Sequence, residues 1–206
     1  MAKIFLIRHA ESVANTAGIY QGQSYDTGLS PLGLLQSKAL ARRFTGENLD
    51  MVYASPLKRS LQTASLITSH YHPEPNLIET NHGQWEGKSK AQIQATWPDL
   101  YQKWQTHPSL VTFPGGEAFA DTAARTINWF DKQTQKSGSF AAVTHSNIIQ
   151  IILCSLLNLK LDQMWRLAMQ PTAVTLIETH SPAKIICLND ISHLKDLQSD
   201  LSRHAL

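Results

Sequence analysis

Cysteine is scarce: Cys154 and Cys187 are the only two in 206 residues. Both sit in apolar runs, so they read as buried free thiols rather than as a disulfide framework. Basic runs are missing. Eighteen Lys and Arg against sixteen Asp and Glu leave a formal net charge of +2, which argues against a dedicated nucleic-acid-binding face. Long apolar runs are missing too. The longest, Ile148 to Leu159, is broken by Gln150, Ser155 and Asn158 and is shorter than the ~20 residues that cross a bilayer. The N-terminal apolar run is brief and ends at Arg8, unlike a signal peptide. The expectation is a soluble cytoplasmic protein with no nucleic-acid or membrane partner. Apolar content of 42% and charged content of 17% fit an ordinary globular chain and exclude disorder. The length suits one sizeable core, so residues 1–206 are expected to form a single domain.

What is present begins at the N-terminus. Lys3 to Ile7 is an apolar run without alternation, as in a central strand buried on both faces. It delivers Arg8 and His9 to a loop of small and polar residues, Ala10-Glu11-Ser12-Val13-Ala14-Asn15. Arginine presents a planar fork of donors matched to phosphate oxygens. A neutral imidazole is a nucleophile near pH 7.

Three further segments carry chemistry. Met51 to Ala54 reads as a short strand, and Ser55-Pro56 is expected to open a helix with Arg59 in its first turn. The helix macrodipole disfavours a cation there, so an anionic partner is implied. Phe140 to Val143 is another buried strand, and it presents Thr144-His145-Ser146 to the start of an apolar helix, whose N-terminal amides suit an anion. Ser146 is expected to cap that helix. In a polar loop, Glu79 follows an apolar pair, and its carboxyl group can protonate a leaving oxygen. Glu86 competes for that role.

The remaining pattern alternates strands and helices. Ser30-Pro31 is an N-cap and first-turn pair, with Leu32, Leu35, Ala39, Leu40 and Phe44 expected on one core face. Leu57, Leu61, Ala64 and Ile67 form a second stripe. Residues 71–87 read as loop. Lys88 to about Trp104 reads as a helix interrupted at Trp97-Pro98. A long helix comes after Pro114-Gly115-Gly116 and runs to about Lys136. Thr172–Glu178 and Ile185–Leu188 close the pattern as strands, and the polar stretch from Ile191 reads as a terminal helix or tail. The fold class implied is α/β, with three α/β/α layers around a mostly parallel sheet and a ligand site at the carboxyl ends of its strands.

These segments together resemble the histidine phosphatase superfamily, the phosphoglycerate mutase-like enzymes of branch 1. Arg8-His9-Ala10 stands where the family has Arg-His-Gly, and Ser55-Pro56-x-x-Arg59-x-x-x-Thr63-Ala64 matches its second motif. His145-Ser146 stands for His-Gly, and Glu79-x-x-x-Gly83-x-Trp85-Glu86-Gly87 matches its acid loop. The resemblance implies His9 as nucleophile, Arg8, Arg59 and His145 as a positive phosphoryl pocket, and Glu79 as the acid, with Glu86 structural. It adds Asn15, Gln21, Gly22 and Ser146 to substrate binding. The leaving-group side is expected to be lined by Tyr20, Gln21, His82, Trp85 and residues of the 88–116 segment.

The resemblance implies no metal and no cofactor; His70-x-His72, in a Pro-rich loop, reads as solvent-exposed. Mutases of the superfamily have Arg-x-Tyr directly after the acid, where this chain has Thr80 and His82, and they carry an inserted arginine pair that is missing between Trp104 and Pro114. Lys90 does match a mutase lysine. The expected activity is therefore hydrolysis of a small phosphorylated metabolite, as in the short α-ribazole phosphatase-like and broad-specificity phosphatases. Phosphoglycerate mutase-type transfer and a non-catalytic phospho-ligand-binding pseudo-enzyme are the alternatives, the latter supported by Ala10 and Ser146 in place of glycines. A homo-oligomer is left open.

Overall fold

A computed structural model describes residues 1–180 and 182–205, without the side chain of Arg203. Strand β1 (Ala2–Arg8) leads through a single turn α1 (Val13–Thr16) to helix α2 (Pro31–Arg43). Strand β2 (Met51–Ala54) precedes α3 (Lys58–Ile67) and a two-residue strand β3 (His72–Pro73). Helices α4 (Lys90–Thr96) and α5 (Pro98–Thr106) are separated at the Trp97-Pro98 step, as the sequence predicts, because proline supplies no amide to continue the ladder. Helix α6 (Phe119–Thr134), strand β4 (Gly138–Thr144) and helix α7 (Ser146–Leu156) come next. Strands β5 (Val174–Glu178) and β6 (Lys184–Asp190) close the sheet.

The strand order is β3-β2-β4-β1-β5-β6. Four neighbours, β3, β2, β4 and β1, run parallel, and β5 is antiparallel to β1 and to β6. Helices cover both faces. Leu40 and Phe44 of α2 and Ala64 of α3 pack with Phe5, Ile7, Val52, Ala141 and Val143 on one face. Trp129 and Phe130 of α6 and Ile148, Ile149 and Ile152 of α7 pack with Ile4, Leu6 and Ala142 on the other. Phe5 and Phe44 meet edge to face at 5.2 Å. Each buried Leu, Ile, Val or Phe among these contributes roughly 1.5–3 kcal/mol.

The register fixes the site. Arg8 pairs with Thr144 and Ala54 with Val143. The residues just beyond these pairs, His9, His145 and Ser55, therefore emerge side by side at the carboxyl end of the sheet, where α/β folds bind ligands.

Several expectations are corrected. Leu35 faces solvent, whereas Gly33, Gln36 and Ser37 are buried. Helix α2 packs against the backbone of the loop after β1 rather than only on apolar residues. A Cβ on Gly33 would lie 1.9 Å from the Glu11 carbonyl oxygen. Gln36 accepts the Glu11 amide at 3.0 Å and donates to the Leu197 carbonyl and the Ser199 hydroxyl. Helix α3 starts at Lys58, not at Ser55-Pro56, and its own N-cap, Leu57, makes no side-chain bond. A distant residue does the capping: Asp26 accepts the Lys58 amide at 2.7 Å. The loop 71–87 contains β3 and two short 3-10 turns. Cys154 is buried but Cys187 only half so, and both are free. The chain after Ile191 is a tail with one 3-10 turn at Leu201–Arg203. It buries Leu194, Ser199, His204 and Ala205.

Candidate active site

His9 lies one residue past β1 and is 3% exposed. Its amide donates to the Thr144 carbonyl at 2.8 Å. Its Nδ1 lies 2.7 Å from the Ala10 carbonyl oxygen. A carbonyl can only accept, so Nδ1 carries the proton and Nε2 keeps its lone pair. Burial, then the charges of Arg59 and Arg8, push the His9 imidazole well below the usual histidine range. The ring is neutral.

Arg8 is held by the Met169 carbonyl through one NH2 group and faces His204 Nδ1 at 3.4 Å through the other. Burial lowers it to about 10, still charged at neutral pH. Arg59, fully buried in α3, donates to Asp26 at 3.1 Å and to the Gly22 carbonyl at 2.9 Å. Gly22 turns there with φ of +55°, and a Cβ would collide with the Glu86 carboxylate at 2.0 Å, so glycine is required. The Nε atoms of both arginines are buried without a protein partner.

His145 is fully buried and packs edge to face on His9. Its Nε2 lies 2.7 Å from the Ser55 hydroxyl and 3.4 Å from that of Ser60, and its Nδ1 has no partner. Burial, with Arg59 next, drives it well below the usual range. The His145 ring is therefore neutral, and the positive charge beside it comes from the two arginines.

Glu79 is 3% exposed, and its carboxylate accepts only the next amide, that of Thr80, at 2.8 Å. Burial raises its pKa against the opposing pull of the Thr80 amide, Arg59, Arg125 and Arg8. Glu86 behaves oppositely. Burial alone would raise it, but bonds from Ser24 and Gln23 outweigh that and lower it. It accepts the amides of Gln23 at 3.0 Å and His82 at 2.9 Å, which makes it a clamp on two loops.

Asn15 and Gln21 face the same cavity as Arg8, His9, Gly22, Arg59, Glu79 and Ser146. The Asn15 carbonyl oxygen accepts from the Ser12 amide at 3.0 Å, which turns its amide group to the other side. Gln21 Oε1 lies 3.0 Å from the Ser12 hydroxyl. Ser146 is the first residue of α7, and His145, not Ser146, holds the N-cap position. Neither Ala10 nor Ser146 has a positive φ, so neither position demands the glycine it replaces.

Sequence reasoning missed Asp26, Ser55, Ser60, Met169 and the tail. Ala205 lines the cavity, which holds only about 20 Å³, little more than a water. Ala205 also borders a second cavity of about 270 Å³ lined by Tyr20, Lys90, Trp104, Gln105 and Trp165. His204, lowered to about 4 by burial and then by Arg8, puts its Nε2 3.7 Å from the Glu11 carboxylate. Of the expected leaving-group residues, Gln21 reaches the site. Trp85 and His82 are sealed in an aromatic cluster with Tyr20, Trp104 and Phe113. His70 and His72 are exposed.

Residues 4–190 match the histidine phosphatase superfamily, branch 1. The chain is 31% identical to phosphoserine phosphatase 1 of Hydrogenobacter thermophilus over 201 residues, covering 94% of this chain and 95% of that one. It is 30% identical over 161 residues to a metal-independent phosphoserine phosphatase of Arabidopsis thaliana, covering 74% and 67%. Among solved structures, Bacillus stearothermophilus YhfR superposes with a TM-score of 0.88 at 25% identity, covering 94% of this chain and 100% of that chain. The mostly parallel sheet, the order of the site segments along the chain and these likenesses agree: the chain belongs to branch 1 of the histidine phosphatase superfamily.

Proposed function

We propose that the protein is a metal-independent phosphomonoesterase that works through phosphohistidine at His9 and acts on a small phosphorylated metabolite. One observation carries this reading. A neutral, buried His9 with Nε2 free shares its cavity with Arg8 and Arg59, whose Nε donors are buried and have no hydrogen-bond partner among the described residues. Unpaired buried donors call for an anion, and a tetrahedral dianion can engage several at once.

In the first step His9 Nε2 attacks phosphorus in line, and the P–O bond to the leaving group breaks. Arg8, Arg59 and His145 hold the equatorial oxygens. Glu79, whose pKa burial raises, gives its proton to the departing oxygen. In the second step Glu79 takes a proton from water, which attacks phosphorus and frees His9 and inorganic phosphate. Asn15, Gln21, Gly22 and Ser146 line the cavity as substrate contacts. The names of the two phosphoserine phosphatase relatives make phosphoserine the first substrate to assay. The reading takes residues 1–206 as one domain. It places the protein in the cytoplasm, which its two free thiols fit.

The test is release of inorganic phosphate from phosphoserine and p-nitrophenyl phosphate with chelator present, for the native chain and His9→Ala. Chelator-resistant turnover lost in the variant is expected. Turnover that survives His9→Ala, or that chelator abolishes, would overturn the reading.

A further inference from the structure

Among the described residues the Glu79 carboxyl group is bonded to its own neighbouring amide alone, and none of their distant side chains aims it. Its position relative to His9 is set by where the backbone runs. That backbone, from Asn76 to Asn81, belongs to no strand or α-helix, and no ladder anchors it. Thr144 Oγ1 donates to the Leu77 carbonyl at 2.6 Å, and one guanidinium holds the residues on either side of it. Arg125, on α6, donates through Nη1 to the carbonyls of Asn76 at 3.0 Å and Ile78 at 2.7 Å. Through Nη2 it donates to the carbonyl of Glu79 itself at 3.2 Å and to Glu117 at 3.0 Å. Glu117 continues the clamp. Its carboxylate accepts the Asn81 amide at 2.8 Å and the Thr122 hydroxyl at 2.7 Å, and its amide donates to the Asn81 carbonyl at 3.0 Å. Gln23 adds a bond to the Glu79 carbonyl at 2.8 Å from the opposite loop.

We propose that Arg125, braced by Glu117, is the positioning residue of the Glu79 acid; this rests on the reading of Glu79 given above. A planar guanidinium can bridge three carbonyls and a carboxylate in one geometry, and a lysine ammonium cannot. The bonds go to carbonyl oxygens of the acid-bearing segment, not to the cavity, and Arg125 is not among the residues that line it. Arg8 and Arg59, which do line it, are held by the Met169 carbonyl, Asp26 and the Gly22 carbonyl, not by Arg125. What depends on it is the last few tenths of an ångström between the acid and the leaving oxygen, and a displacement of about 1 Å can cost about a hundredfold in rate.

The experiment compares a phosphate ester with a poor alkoxide leaving group, phosphoserine, with p-nitrophenyl phosphate, whose leaving group needs little protonation. Native enzyme, Arg125→Ala, Arg125→Lys, Glu117→Gln and Glu79→Gln are assayed for kcat and KM on both. Arg125→Ala should lower kcat for the alkyl ester by roughly tenfold to a hundredfold, leave p-nitrophenyl phosphate within about threefold, and leave KM near native. Arg125→Lys and Glu117→Gln should fall in between, and they carry the test if Arg125→Ala does not fold. Glu79→Gln should show the same selectivity at larger amplitude. If Glu79→Gln is selective but the Arg125 and Glu117 variants slow both substrates equally, change only KM or change nothing, the positioning role is overturned and the acid assignment stands. If Glu79→Gln slows both substrates equally, the acid assignment falls and the positioning role falls with it.

Discussion

His9 and His145 stand with ring centroids 5.1 Å apart and planes inclined at 61°, brought there by the pairing of Arg8 with Thr144. The Ser55 and Ser60 hydroxyls lie at Nε2 of His145, and the proposed mechanism uses its Nδ1 to meet a phosphoryl oxygen. Removing one such donor from a preorganised site costs roughly a hundredfold to a thousandfold in kcat. His145→Ala should show that loss in steady-state assays while its circular dichroism stays native. A near-native kcat would assign His145 to packing alone.

The two shifts at the centre set the pH dependence. Burial lowers His9 and raises Glu79. In the proposed mechanism the active form has His9 neutral and Glu79 protonated, so activity falls on the acid side as His9 gains a proton and on the alkaline side as Glu79 loses one. The lowered His9 extends activity to more acidic pH, and the raised Glu79 extends it upward. The kcat/KM profile should be a bell, and Glu79→Gln should lose the enzyme's alkaline limb. Comparing the two profiles on one substrate cancels the substrate's own ionisation. An unchanged alkaline limb in the variant would assign it to another group.

His82 lies outside the reaction, fully buried among Tyr20, Trp104 and Phe113 with both ring nitrogens unpartnered. Burial lowers its pKa from 6.5 to about 4. The unfolded chain therefore takes up a proton below pH about 6.5 that the folded chain refuses until about 4. Stability is lost as pH falls through that window, by about 2 kcal/mol at pH about 5 for this residue. Urea unfolding at pH about 7.5 and about 5 should show His82→Phe with a correspondingly smaller acid-induced loss than the native chain. Equal losses would mean that the ring is protonated inside the fold.

The docked tail limits the cavity to about 20 Å³, with Ala205 as the wall shared with the larger chamber beside Trp104 and Trp165. Deleting residues 201–206 should join the two spaces. The ratio of kcat/KM for a naphthyl phosphate to that for phosphoserine should rise by about tenfold, the order of one good apolar contact. A ratio that does not move would show that the tail does not shape the leaving-group side.

Much of this arrangement was legible in the chain. The apolar runs at Lys3 to Ile7 and Phe140 to Val143 announce buried strands, and their ends alone place His9 and His145. The failures have one physical origin: contacts between residues distant in sequence. Gln36 is buried because it meets the Glu11 loop and the tail, which helical periodicity does not encode. Asp26 caps α3 across 32 positions, so the helix begins later than Ser55-Pro56 suggests. The tail is polar in composition yet buries His204 and Ala205 against the site. Arg125 reaches the Glu79 carbonyl across 46 positions of sequence, a contact of the same kind.

The central claim is a covalent bond between phosphorus and His9 Nε2. Rapid acid-free quenching during turnover of phosphoserine, then proteolysis and mass spectrometry under alkaline conditions, reads it directly. The account predicts one phosphoryl group on the peptide carrying His9, labile to acid, and none in His9→Ala. Sustained turnover with no phosphorylated His9 on the millisecond scale, or a phosphoryl group on another residue, would contradict it.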